Sequence, residues 1–86
     1  MNDRSKFQEL LDDHYTWPTD YTFKFIVKTD QVSEVMNYFD QNVKVDKRPS
    51  KKGNYISISI TKNVASSDEI ISIYQKLESV KGIIKL

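Results

Sequence analysis

Between Tyr55 and Thr61 the chain alternates without a break, with Ile56, Ile58 and Ile60 on one side and Tyr55, Ser57, Ser59 and Thr61 on the other. A two-residue period with β-branched residues on one side only describes a strand with one buried and one open face. A helix would scatter those isoleucines around its axis. The chain must therefore build a sheet and lay a second layer against the isoleucine side. Tyr21 to Lys28 repeats the arrangement, with Tyr21, Phe23, Phe25 and Val27 facing one way and Thr22, Lys24, Ile26 and Lys28 the other.

Around these strands the period changes to helical. Ser5 to His14 sets Phe7, Leu10, Leu11 and His14 at helical spacing, with Ser5 and Gln8 in capping-box positions. Trp17-Pro18 ends that helix, because proline disfavours a helical residue before it. From Asp30, a good N-cap, Val32, Val35, Met36 and Phe39 form a stripe that Asn42 closes. Ser66 and Glu69 make a further capping box before Ile70, Ile73, Tyr74 and Leu77, and Gly82 ends that element.

Two weaker strands complete the pattern. Val43 and Val45 alternate with Lys44, Asp46 and Arg48, and the following Pro49 cannot donate to a ladder, which places this strand at a sheet edge. Ser50-Lys51-Lys52-Gly53-Asn54 is turn chemistry, with a positive φ expected at Gly53 or Asn54. Ile83 to Leu86 supplies a short last strand.

The order is a leading helix followed by β-α-β-β-α-β, the split βαβ motif of a ferredoxin-like α+β sandwich. Right-handed crossovers put two helices on one face of a four-stranded antiparallel sheet. The expected spatial order is fourth, first, third, second strand, with the two strands richest in apolar residues at the centre. An 86-residue chain has room for one core. The expected organisation is a helical extension over 1–16 and a single domain over 17–86.

Composition narrows the chemistry. The chain has no Cys and one His, so disulfides, thiolate nucleophiles and zinc-thiolate sites are excluded and a histidine-rich metal site cannot be built. No stretch approaches the ~20 apolar residues of a membrane span. The first residues lack the basic-then-apolar order of a signal peptide, so a cytoplasmic location is expected. The net charge is +1, but residues 1–43 carry four basic and eight acidic groups, and residues 44–86 nine and four. An anionic partner should therefore meet the second half.

These residues offer several candidate sites. The open sheet face would show Lys24, Arg48, Tyr55, Ser57 and Ser59, a hydroxyl-rich basic surface suited to a partner protein or a small anion. Sheets of this topology also bind RNA by stacking bases on central aromatics, but the first strand offers Lys24 and Ile26 in place of a second ring. Lys47, Arg48, Lys51 and Lys52 concentrate charge beside Gly53-Asn54, whose backbone could present N–H groups to a phosphate or carboxylate. Acylphosphatase chemistry needs a Gly-rich loop with an Arg after the first strand, where this chain has Lys28-Thr29-Asp30. Asp12 and Asp13 beside His14 point in different directions on a helix, with His14 half-buried at its end.

Certain segments resemble a known family. Trp17-Pro18-Thr19-Asp20-Tyr21-Thr22-Phe23-Lys24 is similar to the Phe-Pro…Phe-x-x-Lys opening of the bacterial YbeD-like proteins. Pro49 to Thr61 resembles their Ser-Ser-x-Gly-Asn-Tyr-x-Ser-x-Ser segment, and Ile73-Tyr74-Gln75-Lys76-Leu77 their Leu-Tyr-x-x-Leu helix. Trp17 stands where the family has Phe, and Lys51 where it has Ser, so no role of that Ser is carried over. The resemblance implies an ACT-like version of the fold and a regulatory or ligand-sensing role, in a family without an established activity. ACT-type ligand binding usually needs a Gly between the first strand and helix, which Lys28-Thr29-Asp30-Gln31 lacks.

The expectation is thus a small regulatory or binding module without catalytic activity, cofactor or metal. The binding residues would be Lys24, Arg48, Lys51, Lys52, Asn54, Tyr55, Ser57 and Ser59. The partner is expected to be a protein or a small anionic ligand, with no membrane and with a homodimer left open. RNA binding through the basic face and hairpin is the alternative. Trp17 and Tyr21 are either a partner anchor or the lid of the core.

Overall fold

The computed structural model describes residues 3–40 and 42–86. The elements are α1 (Asp3–His14), β1 (Thr19–Lys28), a 3₁₀ turn (Thr29–Gln31), α2 (Val32–Met36), β2 (Lys44–Pro49), β3 (Tyr55–Val64), α3 (Ser67–Leu77) and β4 (Ile84–Lys85). The first two residues of the extension expected over 1–16 lie outside the described residues. The strands form one antiparallel sheet in the order β2-β3-β1-β4, with β1 and β3 central. The result is an α+β chain of the expected strand order, compatible with a ferredoxin-like fold.

The register explains the core. Phe23 faces Ile60, Phe25 faces Ile58 and Val27 faces Ile56, so the apolar sides of β1 and β3 coincide. Phe23, Phe25, Val27, Ile58 and Ile60 are completely buried beneath Val35, Phe39, Ile70 and Leu77. Removing one such side chain from water contributes about 1.5–3 kcal/mol. Phe23 meets Phe39 and Tyr74 edge-on at 5.5 and 5.4 Å, which fixes the angle at which the helical layer lies.

Both central strands run longer than the alternation indicated. Thr19 and Asp20 join β1, and Lys62, Asn63 and Val64 join β3 opposite them. Lys62 breaks the apolar period on the inner side, and its ammonium is neutralised there by the carboxylate of Glu69. Val64 beyond it is fully buried. At the far edge β2 is exposed along its whole length, Val45 included, because α2 is too short to reach over it. β4 keeps only Ile84 and Lys85 of the four residues expected.

The helix starts differ from the sequence reading. α1 begins before Ser5, so Ser5 lies inside the helix and Gln8 reaches across to Asp68 Oδ1 at 2.6 Å instead of capping. Of its stripe only Leu11 is buried; Leu10 and His14 are exposed, so His14 is not half-buried. Asp30 does not cap a helix, because it lies within the 3₁₀ turn and the Lys28 N–H donates to Gln31 Oε1 at 3.4 Å. Ser66 is the N-cap residue of α3 without a side-chain cap, and Glu69 accepts from the Ala65 N–H at 3.0 Å. For Gln8 and Glu69 the cause is visible: each side chain has a partner outside the expected capping box.

Candidate functional site

The outer face of the sheet carries no helical layer. Read across the strands, one row runs Arg48, Ser57, Ile26, Ile84, and the next runs Asp46, Ser59, Lys24. Lys44, Thr61 and Thr22 form a third row, in which the Thr22 and Thr61 hydroxyls meet at 2.9 Å. Lys28 and Tyr55 are paired at one end of the face. The sheet thus brings together Lys24, Arg48, Ser57 and Ser59, with Tyr55 at their margin.

Two features of this face were not among the expected site residues. Ile84, half-exposed, sits against Ile26 and makes an apolar centre between Lys24 and the sheet edge. Asp46 lies opposite Ser59, and its carboxylate accepts from Arg48 Nε at 3.3 Å. The basic charge of the face is therefore partly answered from within. Ile26 was legible as the one apolar residue on the outward side of β1. Ile84 was not, because a two-residue strand shows no period.

The hairpin residues are placed elsewhere. Lys51, Lys52 and Asn54 lie in the exposed turn at one end of the sheet, beyond the last pair Pro49–Ile56 that follows the Arg48–Ser57 row. Gly53 carries the expected positive φ, 76°, and no residue other than glycine has one among the described residues, so Asn54 does not share the role. The N–H of Gly53 closes the turn on the Ser50 carbonyl at 3.0 Å. The carbonyls of Gly53 and Asn54 accept from the hydroxyl and N–H of Thr29 at 2.6 and 3.1 Å. These bonds tie the turn to the residue that follows β1.

A separate groove opens on the helical side, where α1, α3 and β4 converge. It has a volume of about 450 Å³ and walls from Phe7, Ile71 and Leu86. At its side the hydroxyls of Tyr21 and Tyr74 lie 3.3 Å apart. Burial, and then the bond to Tyr21, push the Tyr74 phenol well above its ordinary value. At the rim Lys85 Nζ faces Glu78 Oε1 at 3.6 Å. Trp17 is fixed outside this groove, donating from Nε1 to Asp12 Oδ1 at 3.0 Å and packing on the core margin beside Tyr15.

A small α+β protein with one face of its sheet left open, and no helix among the described residues long and apolar enough to cross a membrane, is the class these features define. The chain belongs to the YbeD-like family of small bacterial proteins: residues 12–86 match the family DUF493, proteins of unknown function. It is 31% identical over 83 residues to a UPF0250 protein of Klebsiella pneumoniae subsp. pneumoniae, covering 90% of this chain and 91% of the relative. The UPF0250 protein YbeD of Salmonella arizonae is similar at 31% identity over 83 residues, with the same coverage of 90% and 91%. No solved structure matches the chain.

Proposed function

We propose that this protein is a regulatory binding module of the cytoplasm, without catalytic activity, that docks a partner protein on the outer face of its sheet. The observation that carries this reading is the uncovered apolar pair Ile26–Ile84, bordered by Lys24, Arg48, Asp46 and small serines. An apolar centre with a mixed-charge rim is the composition of a protein interface. The serines at 57 and 59 leave the middle of the face low, so a partner's side chains can approach the strands.

A small anion is less well supported as the occupant, because Asp46 already engages Arg48 and stands in the row of Lys24. RNA is less well supported for the same reason, and because Lys24 and Ile26 of β1 and Ser57 and Ser59 of β3 occupy the central-strand positions where bases would stack on rings. Of the carboxylates on this face, Asp46 is held by Arg48 and Asp20 by the Asn63 amide at 3.1 Å, so neither stands free as a general base beside the lysines and Tyr55. The strand order supports an ACT-like classification, and the glycine-free first connection argues against amino-acid binding in that loop.

Photocrosslinking residues placed at Ile84 and, as a control, at Glu34 of α2 would test the reading in the source cell. The expected result is one protein adduct at position 84, lost on Ile26→Asp and absent at position 34. Adducts at position 34 only, or nucleic acid alone at position 84 with steep salt dependence, would overturn it.

A further inference from the structure

We infer that the groove between α1, α3 and β4 is a binding site for a small carboxylate with an aromatic or branched apolar body. The site lies on the helical side and does not depend on the docking reading of the outer face. Its volume of about 450 Å³ falls within the range of small-molecule sites, about 300–1,000 Å³. Phe7 is more than a third exposed there although it packs edge-on against Tyr74 at 6.0 Å, so one aromatic face is left for an apolar body. Leu86, 64% exposed, provides the facing aliphatic surface, with the buried Ile71 behind it.

The polar groups fix the sign of the ligand's charge. Two phenols that face each other share one hydrogen bond: one hydroxyl donates, and the acceptor keeps its own O–H proton for a third group. The Tyr21–Tyr74 pair therefore holds one donor in reserve beside the apolar walls. A phenol keeps its proton at neutral pH, so that donor is available whichever hydroxyl holds it. Of the rim charges, the Lys85 side chain is 35% exposed and the Glu78 side chain 66%. The cation is thus the inner charge and the anion the outer one. Their separation of 3.6 Å leaves the pair loose enough for Lys85 to turn to a ligand carboxylate while Glu78 moves into water. An anionic head between Lys85 and the tyrosine pair, with its body on Phe7 and Leu86, satisfies every one of these groups.

The experiment is an amide chemical-shift titration of the full chain with 3-phenylpropionate, against 3-phenylpropanamide and phenethylamine as uncharged and cationic controls. At ligand concentrations of about 1–10 mM, suited to a weak unoptimised ligand, the carboxylate should give saturable shifts at Tyr74, Lys85 and Leu86. The amide and the amine should bind at least several-fold more weakly. Lys85→Gln should weaken the carboxylate about tenfold, as the loss of a charge-assisted hydrogen bond requires. Glu78→Gln should tighten it about two- to threefold by removing the competing anion. Amide spectra of both variants report that the fold is kept. Equal binding of the amine, no saturable shift at these residues, or an unchanged affinity in Lys85→Gln would overturn the assignment.

Discussion

The hydroxyls of Tyr21 and Tyr74 meet at 3.3 Å and tie the beginning of β1 to the middle of α3. The bond closes the core on the side where α1 adds Leu11 alone, among its described side chains, to the buried set. It also gives the groove its polar floor.

That contact makes stability depend on pH at the alkaline end. Tyr74 is raised above its ordinary pKa of 10.0, first by burial and then by the bond to Tyr21. A group whose folded pKa is raised contributes stability that is complete below its unfolded pKa and lost as pH rises through the folded one. Thermal melts between about pH 8 and 11 should therefore show stability falling above about pH 10. Tyr74→Phe should cost about 1 kcal/mol at neutral pH and flatten the alkaline fall. An alkaline profile identical in the two proteins would contradict this.

At the acid end the responsible group is Glu69. The Ala65 N–H and then the Lys62 ammonium hold its carboxyl below the ordinary 4.5. A depressed carboxyl contributes stability that is present above the unfolded pKa and lost as pH falls through the folded one. Glu69→Gln should therefore lower the midpoint of urea unfolding at pH 7, by an amount that shrinks as pH falls from about 4.5 through the depressed pKa of Glu69.

Ile58 is fully buried opposite Phe25, at the centre of the sheet. Ile58→Ala should cost about 2–5 kcal/mol, the lost transfer free energy plus that of the cavity left behind. Urea unfolding gives the number, and a cost under about half a kilocalorie would mean that the buried side of β3 is the other one.

Gly53 turns β2 into β3 with φ of 76°, and a Cβ added there would meet nothing within 4 Å. Gly53→Ala should therefore cost about 1 kcal/mol through backbone conformation alone. Gly53→Asn should recover part of that, since asparagine tolerates the left-handed region better than alanine. Equal losses in both variants would mean that the hairpin relaxes into another turn.

The strands were legible where one side of the chain was apolar. Phe23, Phe25, Ile58 and Ile60 alternate with polar neighbours, and a strand reports its buried face through its own sequence. Pro49 marked an edge because it lacks a donor, and Gly53 marked the turn because it accepts a positive φ. The caps were less legible. Gln8 and Glu69 each had a local role available, and each took a partner outside the motif. The basic residues of the second half read as one surface, and they stand on two kinds of structure, Arg48 on β2 and Lys51 and Lys52 in the turn that follows it.

By itself the sequence determined the order of elements, the two central strands and the burial of their aromatic and isoleucine faces. These follow from periods within about ten residues, which neighbouring side chains impose on the backbone whatever lies further away. Only the tertiary structure decided that Asp46 answers Arg48 on the face also holding Lys24, that Ile84 completes an apolar centre with Ile26, and that Phe7, Tyr74 and Lys85 enclose a groove. Phe7, Tyr74 and Lys85 stand on three different elements, α1, α3 and β4. Their meeting depends on how far α1 slides along α3 and where β4 ends against β1, and such packing leaves no trace in any local period.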